Sequence, residues 1–300
     1  MSTPPNYRPK TTLEQWRILQ AVVDYGGYAR AAEAINKSQS SMNHAVAKLQ
    51  ESLGVKLLQV VGRKAELTNI GEVMLRRSRQ LTVLVTELEQ LAQNLKQGWE
   101  PEIKLAVEMV FDRNTLLPVL REFQLHSRGS RLVIEDTVLT GSVEAIIDQS
   151  ADIVISHQLP RGIVGEPLSN YRMQLVVASD HPLAQFPQPI SPDQLSQYLQ
   201  VVIRDTARKP VEAEGWLKAE QRWTVNNFNE ALPLVEAGIG FCWLPPFVTR
   251  NAENLVELSL SGSSRREGGM YLVLPKNEKT GPCARLLYDM LVSELTNTLA

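Results

Sequence analysis

Gln39, Ser40, Asn43 and His44 crowd hydrogen-bonding side chains of modest length into a short stretch, and two adjacent cations, Arg63 and Lys64, follow downstream. Amide and hydroxyl groups of this kind match the edges of adenine and of mixed base pairs, the methyl of the nearby Ala47 suits thymine, and long cations track phosphates or enter a minor groove. Ser41 and Lys48 lie in the same stretch and complete the candidate set. Catalytic chemistry has no comparable support. Neither type of glycine-rich phosphate loop, nor HExxH, GxSxG or paired CxxC, occurs. Cys242 and Cys283 are isolated, one of them inside an apolar run, and read as buried thiols rather than as a disulfide, metal or redox pair. His126, His157 and His181 are widely scattered. No enzyme activity, metal or cofactor is therefore expected.

The elements that must position these groups follow from periodicity. Leu13, Trp16, Ile18, Leu19, Val22 and Val23 stripe a first helix that ends at Gly26-Gly27. Ala31, Ala32, Ala34 and Ile35 form a short second helix whose small side chains permit close approach. Ser38 caps a third helix, in which Met42, Val46, Leu49 and Leu53 recur at steps of four, three and four and so share one face. At about 100° per residue, Ser40, His44 and Ala47 point away from that face, with Asn43 beside them and Gln39 at the N-terminal end. An ordinary solvated helix face is the alternative. Leu57, Leu58, Val60 and Val61 then form a β-prone run that turns at Gly62 and returns through Ala65 and Leu67, a wing with Arg63 and Lys64 at its tip.

Ile70, Met74, Arg77, Leu81, Leu84, Leu88, Leu91 and Leu95 alternate steps of four and three, the pattern of a coiled-coil seam. Thr68 can cap this helix and Gly98 can end it. At roughly 1.5 Å per residue it is about 40 Å long, more stripe than a small N-terminal domain can bury. A second copy of the chain would bury it, which makes Met74, Leu81, Leu84, Leu88, Leu91 and Leu95 the candidate dimerisation residues. Packing on the downstream domain is the alternative, and Arg77 is the one break in the seam. Charge divides in the same place: 13 Lys and Arg face 8 Asp and Glu through Gly98, against 18 and 25 thereafter. Basic charge concentrated in the first part supplies salt-sensitive affinity for nucleic acid.

From Pro101 the runs IKLAV, RLVIE, DIVI, QLVVA, LQVVI, RWTV, GFCWL and YLVL alternate with helical stretches, indicating an α/β fold with largely parallel sheets. About 200 residues is too many for one compact layer of this kind and points to two lobes. The N-terminal segment MSTPPNYRPK is short and polar, and no run of about 18 apolar residues is present, so a soluble, cytoplasmic protein is expected.

The run GGYARAAEAINKSQSSMNHAVAKLQESLGVKLLQVVGRKAELTNIG resembles the winged helix-turn-helix of the LysR-type transcriptional regulators. DIVISHQLP, EPLSNYRMQLVVASDHPLA and VEAGIGFCWLP look like successive landmarks of that family's effector domain, which has periplasmic-binding-protein architecture. The resemblance implies an N-terminal all-α winged helix-turn-helix over residues 1–69, a linker and dimerisation helix over 70–98, and a C-terminal two-lobe α/β effector domain over 99–300. Lobe one is then 100–169 with 271–300, and lobe two 170–270. It further implies binding to double-stranded DNA at an interrupted palindrome, a small-molecule effector between the lobes, and a homodimer that pairs into a homotetramer. Three positions depart from the family pattern. Asn43-His44 stands where Ser-Arg is common, Val60 replaces an arginine of the wing and Gly27 replaces a serine, so the surface that reads is implied but not the sequence read. Ligands of open α/β lobes bind at the carboxyl ends of strands. That rule selects Phe111, Arg113, Thr137, Thr140, Arg204, Thr206 and Phe228, with Arg204 the better clamp for an anionic ligand because it directly follows a strand. Two other classes are weighed: a secreted solute-binding protein, and an architectural DNA-binding protein whose lobes hold no ligand.

Overall fold

A computed structural model describes residues 8–61, 64–210, 217–262 and 266–296. The chain divides into two compact units, Met1–Gln93 and Asn94–Ala300. The first unit opens with three helices, α1 (Leu13–Asp24), α2 (Tyr28–Ala34) and α3 (Gln39–Leu53). Thr12 and Gln15 form a reciprocal capping box at the start of α1, and Gly26 and Gly27 take positive φ after its end. The Ser38 hydroxyl accepts the Ser41 N–H at 3.2 Å and caps α3. Trp16, Leu19 and Val22 of α1, Ala31 of α2, and Met42, Val46 and Leu49 of α3 close one apolar core. A two-stranded hairpin, β1 (Leu58–Val61) and β2 (Lys64–Leu67), pairs Leu58 with Leu67 and Val61 with Lys64.

The long helix α4 (Asn69–Lys96) begins where the Thr68 hydroxyl accepts the Gly71 N–H at 2.9 Å. Gly71 is required there: a Cβ would stand 2.0 Å from the Leu57 carbonyl oxygen, so the absent side chain lets the helix lie directly on the strand entry. Leu75 and Ser78 are buried and Met74 packs partly on the three-helix core. Gln20 of α1 donates to the Ser78 hydroxyl at 3.1 Å.

The second unit runs β3 (Glu102–Glu108), α5 (Leu117–His126), β4 (Arg131–Thr137), α6 (Thr140–Ile147), β5 (Ile153–Ser156), β6 (Glu166–Ala178), α7 (Pro192–Ser196), β7 (Gln200–Ile203), β8 (Arg222–Val225), α8 (Phe228–Glu236), β9 (Cys242–Leu244), α9 (Pro246–Thr249), β10 (Leu255–Glu257), β11 (Arg266–Val273) and α10 (Pro282–Thr296). The sheets are mixed rather than largely parallel. β3 pairs in parallel with β4 and β5, and β7 with β8, but β11 is antiparallel to β5 and β6, and β6 is antiparallel to β9 and β10. The cause is the pair β6 and β11. The first half of β6 pairs with β11 and its second half with β9 and β10, so the chain crosses between two cores twice, and the return strand must run against the outgoing one.

One core, on β3, β5, α5 and α10, contains Ile103, Leu105, Phe123, Ile155, Leu272 and Leu287. The other core region comprises two clusters, Leu175, Leu183, Phe241 and Trp243 on one side and Val176, Val201, Ala231 and Leu244 on the other. Among the described residues no helix is long and apolar enough to cross a membrane.

Candidate DNA-reading surface and effector cleft

Gln39, Ser40, Ser41, Asn43, His44, Ala47 and Lys48 are all exposed on α3, whereas Met42, Val46 and Leu49 are buried on the opposite face. The side chains of Gln39, Asn43, His44 and Lys48 make no hydrogen bond to another described residue, so their donors and acceptors are directed outward. The N-terminal turn of such a helix also presents unpaired amides, which favour phosphate.

The wing is tied to this helix by Gln50. Its amide oxygen accepts the N–H groups of Leu57 at 2.7 Å and Leu58 at 3.0 Å, bonding the base of β1 to the inner side of α3. Sequence reasoning passed over Gln50, since a glutamine late in an amphipathic helix carries no signal until its two partners fold back onto it. Gln50→Ala is expected to leave both amides unpaired and to cost about 1–3 kcal/mol of stability in the first unit, measurable by denaturant unfolding. Val60, at the position where the family pattern places an arginine, is 79 % exposed. Arg63 and the Lys64 side chain lie outside the described residues, although the Lys64 backbone pairs with Val61.

On α4 the candidate seam residues separate by position. Met74 packs partly on the core of the first unit and Leu91 is half-buried, while Leu81, Leu84, Leu88 and Leu95 are exposed, Leu84 at 59 % and Leu88 at 67 %.

In the second unit, β3, β4 and β5 bring their carboxyl ends together at Glu108, Thr137 and His157. Glu108 is only 2 % exposed. Its Oε1 accepts the Leu139 N–H at 3.1 Å, and Leu139 itself is held at φ +53°, a strained region for a residue with a side chain. Its Oε2 lies 3.4 Å from His157 Nδ1, yet neither atom makes a hydrogen bond, nor does the buried Thr137 hydroxyl. Glu108 and His157 thus face each other at this strand edge, and the Thr137 hydroxyl beside them is a buried polar group without a hydrogen bond.

The seven effector candidates do not converge. Phe228 lines a cavity of about 90 Å³ between the two cores, together with Glu108, Met173, Gln200, Trp243 and Arg266. Phe111 is buried in the first core and instead lines a separate cavity of about 590 Å³ with Leu168, Tyr171, Phe247, Met270 and Leu295. Arg113 pairs with Asp136. Arg204 is exposed at the end of β7, and with the nearby Asn226 and Asn227 it holds the Glu230 carboxyl below its ordinary range, the hydrogen bond from the Asn226 amide being the largest cause.

Thr140 and Thr206 serve a clasp. The Thr206 hydroxyl accepts the Val138 N–H at 2.9 Å, and the Asp205 carboxylate accepts both the Thr140 hydroxyl at 2.6 Å and the Thr140 N–H at 3.2 Å. Asp205 thus places an internal anion at the N-terminus of α6, the position that would otherwise favour a ligand carboxylate. Gly141 permits the approach, for a Cβ there would meet Thr206 Oγ1 at 1.9 Å. Arg208, which pairs with Glu144 and Asp148 of the α6 segment, continues the clasp. Asp205→Ala, which strands both Thr140 groups and the Ala207 N–H, is expected to lower the unfolding free energy by about 1–3 kcal/mol in a denaturant melt of the full chain.

Cys242 and Cys283 are both buried free thiols, and burial pushes Cys242 up to about 12, so it packs as a neutral group. Among the described residues no group of three or more His, Cys, Asp or Glu is arranged to hold a metal ion.

Residues 13–72 match the family described as bacterial regulatory helix-turn-helix protein, lysR family, and residues 96–296 match the LysR substrate binding domain. The chain is 30% identical over 246 residues to the uncharacterized HTH-type transcriptional regulator YeeY of Escherichia coli (strain K12), with 80% of each chain covered. It is 29% identical over 246 residues to the probable HTH-type transcriptional regulator YhaJ of the same organism, covering 80% of this chain and 82% of that one. A solved structure, full-length LTTR LysG from Corynebacterium glutamicum with bound effector Arg, has a TM-score of 0.50 at 16% identity over 96% of this chain and 99% of that one, a likeness of fold. A three-helix reader with an outward polar face, a long helix leading from it and a two-core α/β unit thus coincide with both matched regions, and the chain belongs to the LysR family of helix-turn-helix transcriptional regulators with a substrate-binding effector domain.

Proposed function

We propose that α3 enters the major groove with Gln39, Ser40, Asn43 and His44 at the base edges and Ser41, Ala47 and Lys48 beside them, while Arg63 and Lys64 of the wing contact the backbone. The observation that carries this reading is the division of α3 into a buried apolar face and a polar face with no internal partners. The exposed leucines of α4 pair with those of a second copy, which makes the binding unit a dimer and its operator an interrupted palindrome. Two such dimers form the homotetramer that spans the full site.

A small molecule in the cleft between the two cores shifts the population of two arrangements and so changes promoter output, as far as it binds one arrangement better than the other. An anionic effector held by Arg113 or Arg204 is disfavoured, because Arg113 is already paired and neither residue lines the cavity. This role places the protein in the cytoplasm with the DNA and asks no catalytic step of it. Selecting bound fragments from the source genome with purified protein at moderate salt, then footprinting them, tests the reading. An enriched interrupted palindrome supports it, and recovery no better than random fragments refutes it.

A further inference from the structure

The long helix α4 is fixed to the three-helix core at two points. At its start the Thr68 hydroxyl donates to the Lys56 carbonyl at 2.7 Å, and Gly71 lies against Leu57. About two turns on, α1 holds the helix from the side. Gln20 Nε2 donates to the buried Ser78 hydroxyl at 3.1 Å. One turn later the Thr82 hydroxyl, which donates chiefly to the Arg79 carbonyl at 2.8 Å, also reaches Gln20 Oε1 at 3.3 Å. A single side-chain amide thus spans two successive turns of α4, and Arg79 between them pairs with Asp24 of α1. Leu75 and Met74 hold the helix on the core through apolar contact, which has no direction of its own, whereas hydrogen bonds fix distance and angle. Two anchored points define a line. That line is the direction in which α4 leaves the core.

We propose that Gln20 is a positioning residue for operator recognition: it fixes the direction of α4 against the reader and thereby sets the half-site spacing that the dimer accepts. This rests on the reading that the exposed leucines of α4 pair two copies of the chain.

Leverage makes so small a clamp matter. From Gly71 to Leu88 the helix is about 25 Å long at roughly 1.5 Å per residue. A tilt of about 10° at the clamp therefore displaces each reader by about 4 Å relative to the seam, more than the rise of roughly 3.4 Å between base pairs. A dimer whose readers drift by that distance tolerates spacers that a rigid one rejects. Gln20 lies on α1 rather than α3, half-buried against α4, so it touches no base in this scheme. It acts on spacing and leaves the affinity of one reader for one half-site alone. The Arg79–Asp24 pair is exposed on both sides and adds little by itself.

The test uses the full chain with Gln20→Ala and, from the other side of the same bond, Ser78→Ala. In Gln20→Ala the Ser78 hydroxyl keeps its bond to the Leu75 carbonyl at 2.8 Å, so no buried donor is stranded, and a cooperative melt checks that each variant is folded. Fluorescence anisotropy is measured on the selected operator, on copies whose spacer is lengthened or shortened by a base pair, and on a single half-site. The unaltered chain is expected to bind the altered spacers about tenfold or more weakly, because the added or missing step both shifts and rotates one half-site. In either variant that penalty is expected to fall to about threefold or less, with half-site affinity within about twofold of the original and the double variant no different from the singles. A spacer penalty that survives both substitutions overturns the assignment, as does an unaltered chain that accepts every spacer equally. So does a loss of half-site affinity as large as the loss on the operator, which would place Gln20 in the reader itself. All three results leave the selected palindrome standing, whereas a selection that recovers no palindrome removes the dimer reading on which this one rests.

Discussion

The double substitution Asn43→Ala and His44→Ala is expected to erase discrimination between the selected operator and random DNA while leaving the protein folded. Both side chains are exposed and neither makes a hydrogen bond to a described residue, so the change in stability should stay within about 0.5 kcal/mol. Each good base contact is worth about 1–3 kcal/mol of discrimination, so losing two should weaken operator binding by roughly 30-fold at the least. Binding to random DNA rests on phosphate contacts and should change little, with its salt dependence preserved. Fluorescence anisotropy on the two DNAs at several salt concentrations measures both quantities. An unchanged ratio of specific to random affinity would move the reading surface off α3.

The second large effect lies on α4. Leu84→Glu combined with Leu88→Glu places charge on the two most exposed leucines of the stripe, which the described residues leave mostly uncovered. Burying a leucine contributes about 1.5–3 kcal/mol, and a symmetric pair of helices loses the contribution from both copies, so the doubly substituted chain should be monomeric at micromolar concentration. Glutamate is a good helix former and the positions face outward, so the helix itself should persist. Light scattering and circular dichroism report the two outcomes separately. A variant that remains dimeric would show that copies associate through another surface. A monomeric variant should also bind one half-site only, and the footprint should shrink accordingly.

Much of the first unit was legible in the order of residues, because its contacts are short in sequence and helical periodicity is a local property. The four-three-four spacing of Met42, Val46, Leu49 and Leu53 assigned the inner face of α3, and Ser38, Gly26 and Gly27 punctuated the helices through their own backbone and side-chain chemistry. The stripe on α4 was equally visible, although the sequence could not separate Met74, which turns partly inward, from Leu84 and Leu88, which do not.

The second unit was legible as a class and misread in detail. Hydrophobic runs reveal strands but not their direction, since direction depends on whether a strand stays in its core or crosses to the other, as β6 and β11 do.

The cleft was the least legible part. Thr140 and Thr206 carry hydroxyls of the right kind at strand ends, yet the Thr206 hydroxyl meets the Val138 amide across 68 residues of chain and Thr140 is held by Asp205, so both are engaged in closing the clasp. Nothing local marked the burial of Glu108 against His157, because an acid at a strand end is an ordinary surface residue until folding desolvates it. Local spacing therefore carried the helices, their caps and the faces they expose, whereas the polarity of the cleft arises from long-range burial, which changes the energy of a charge without changing the residue that bears it.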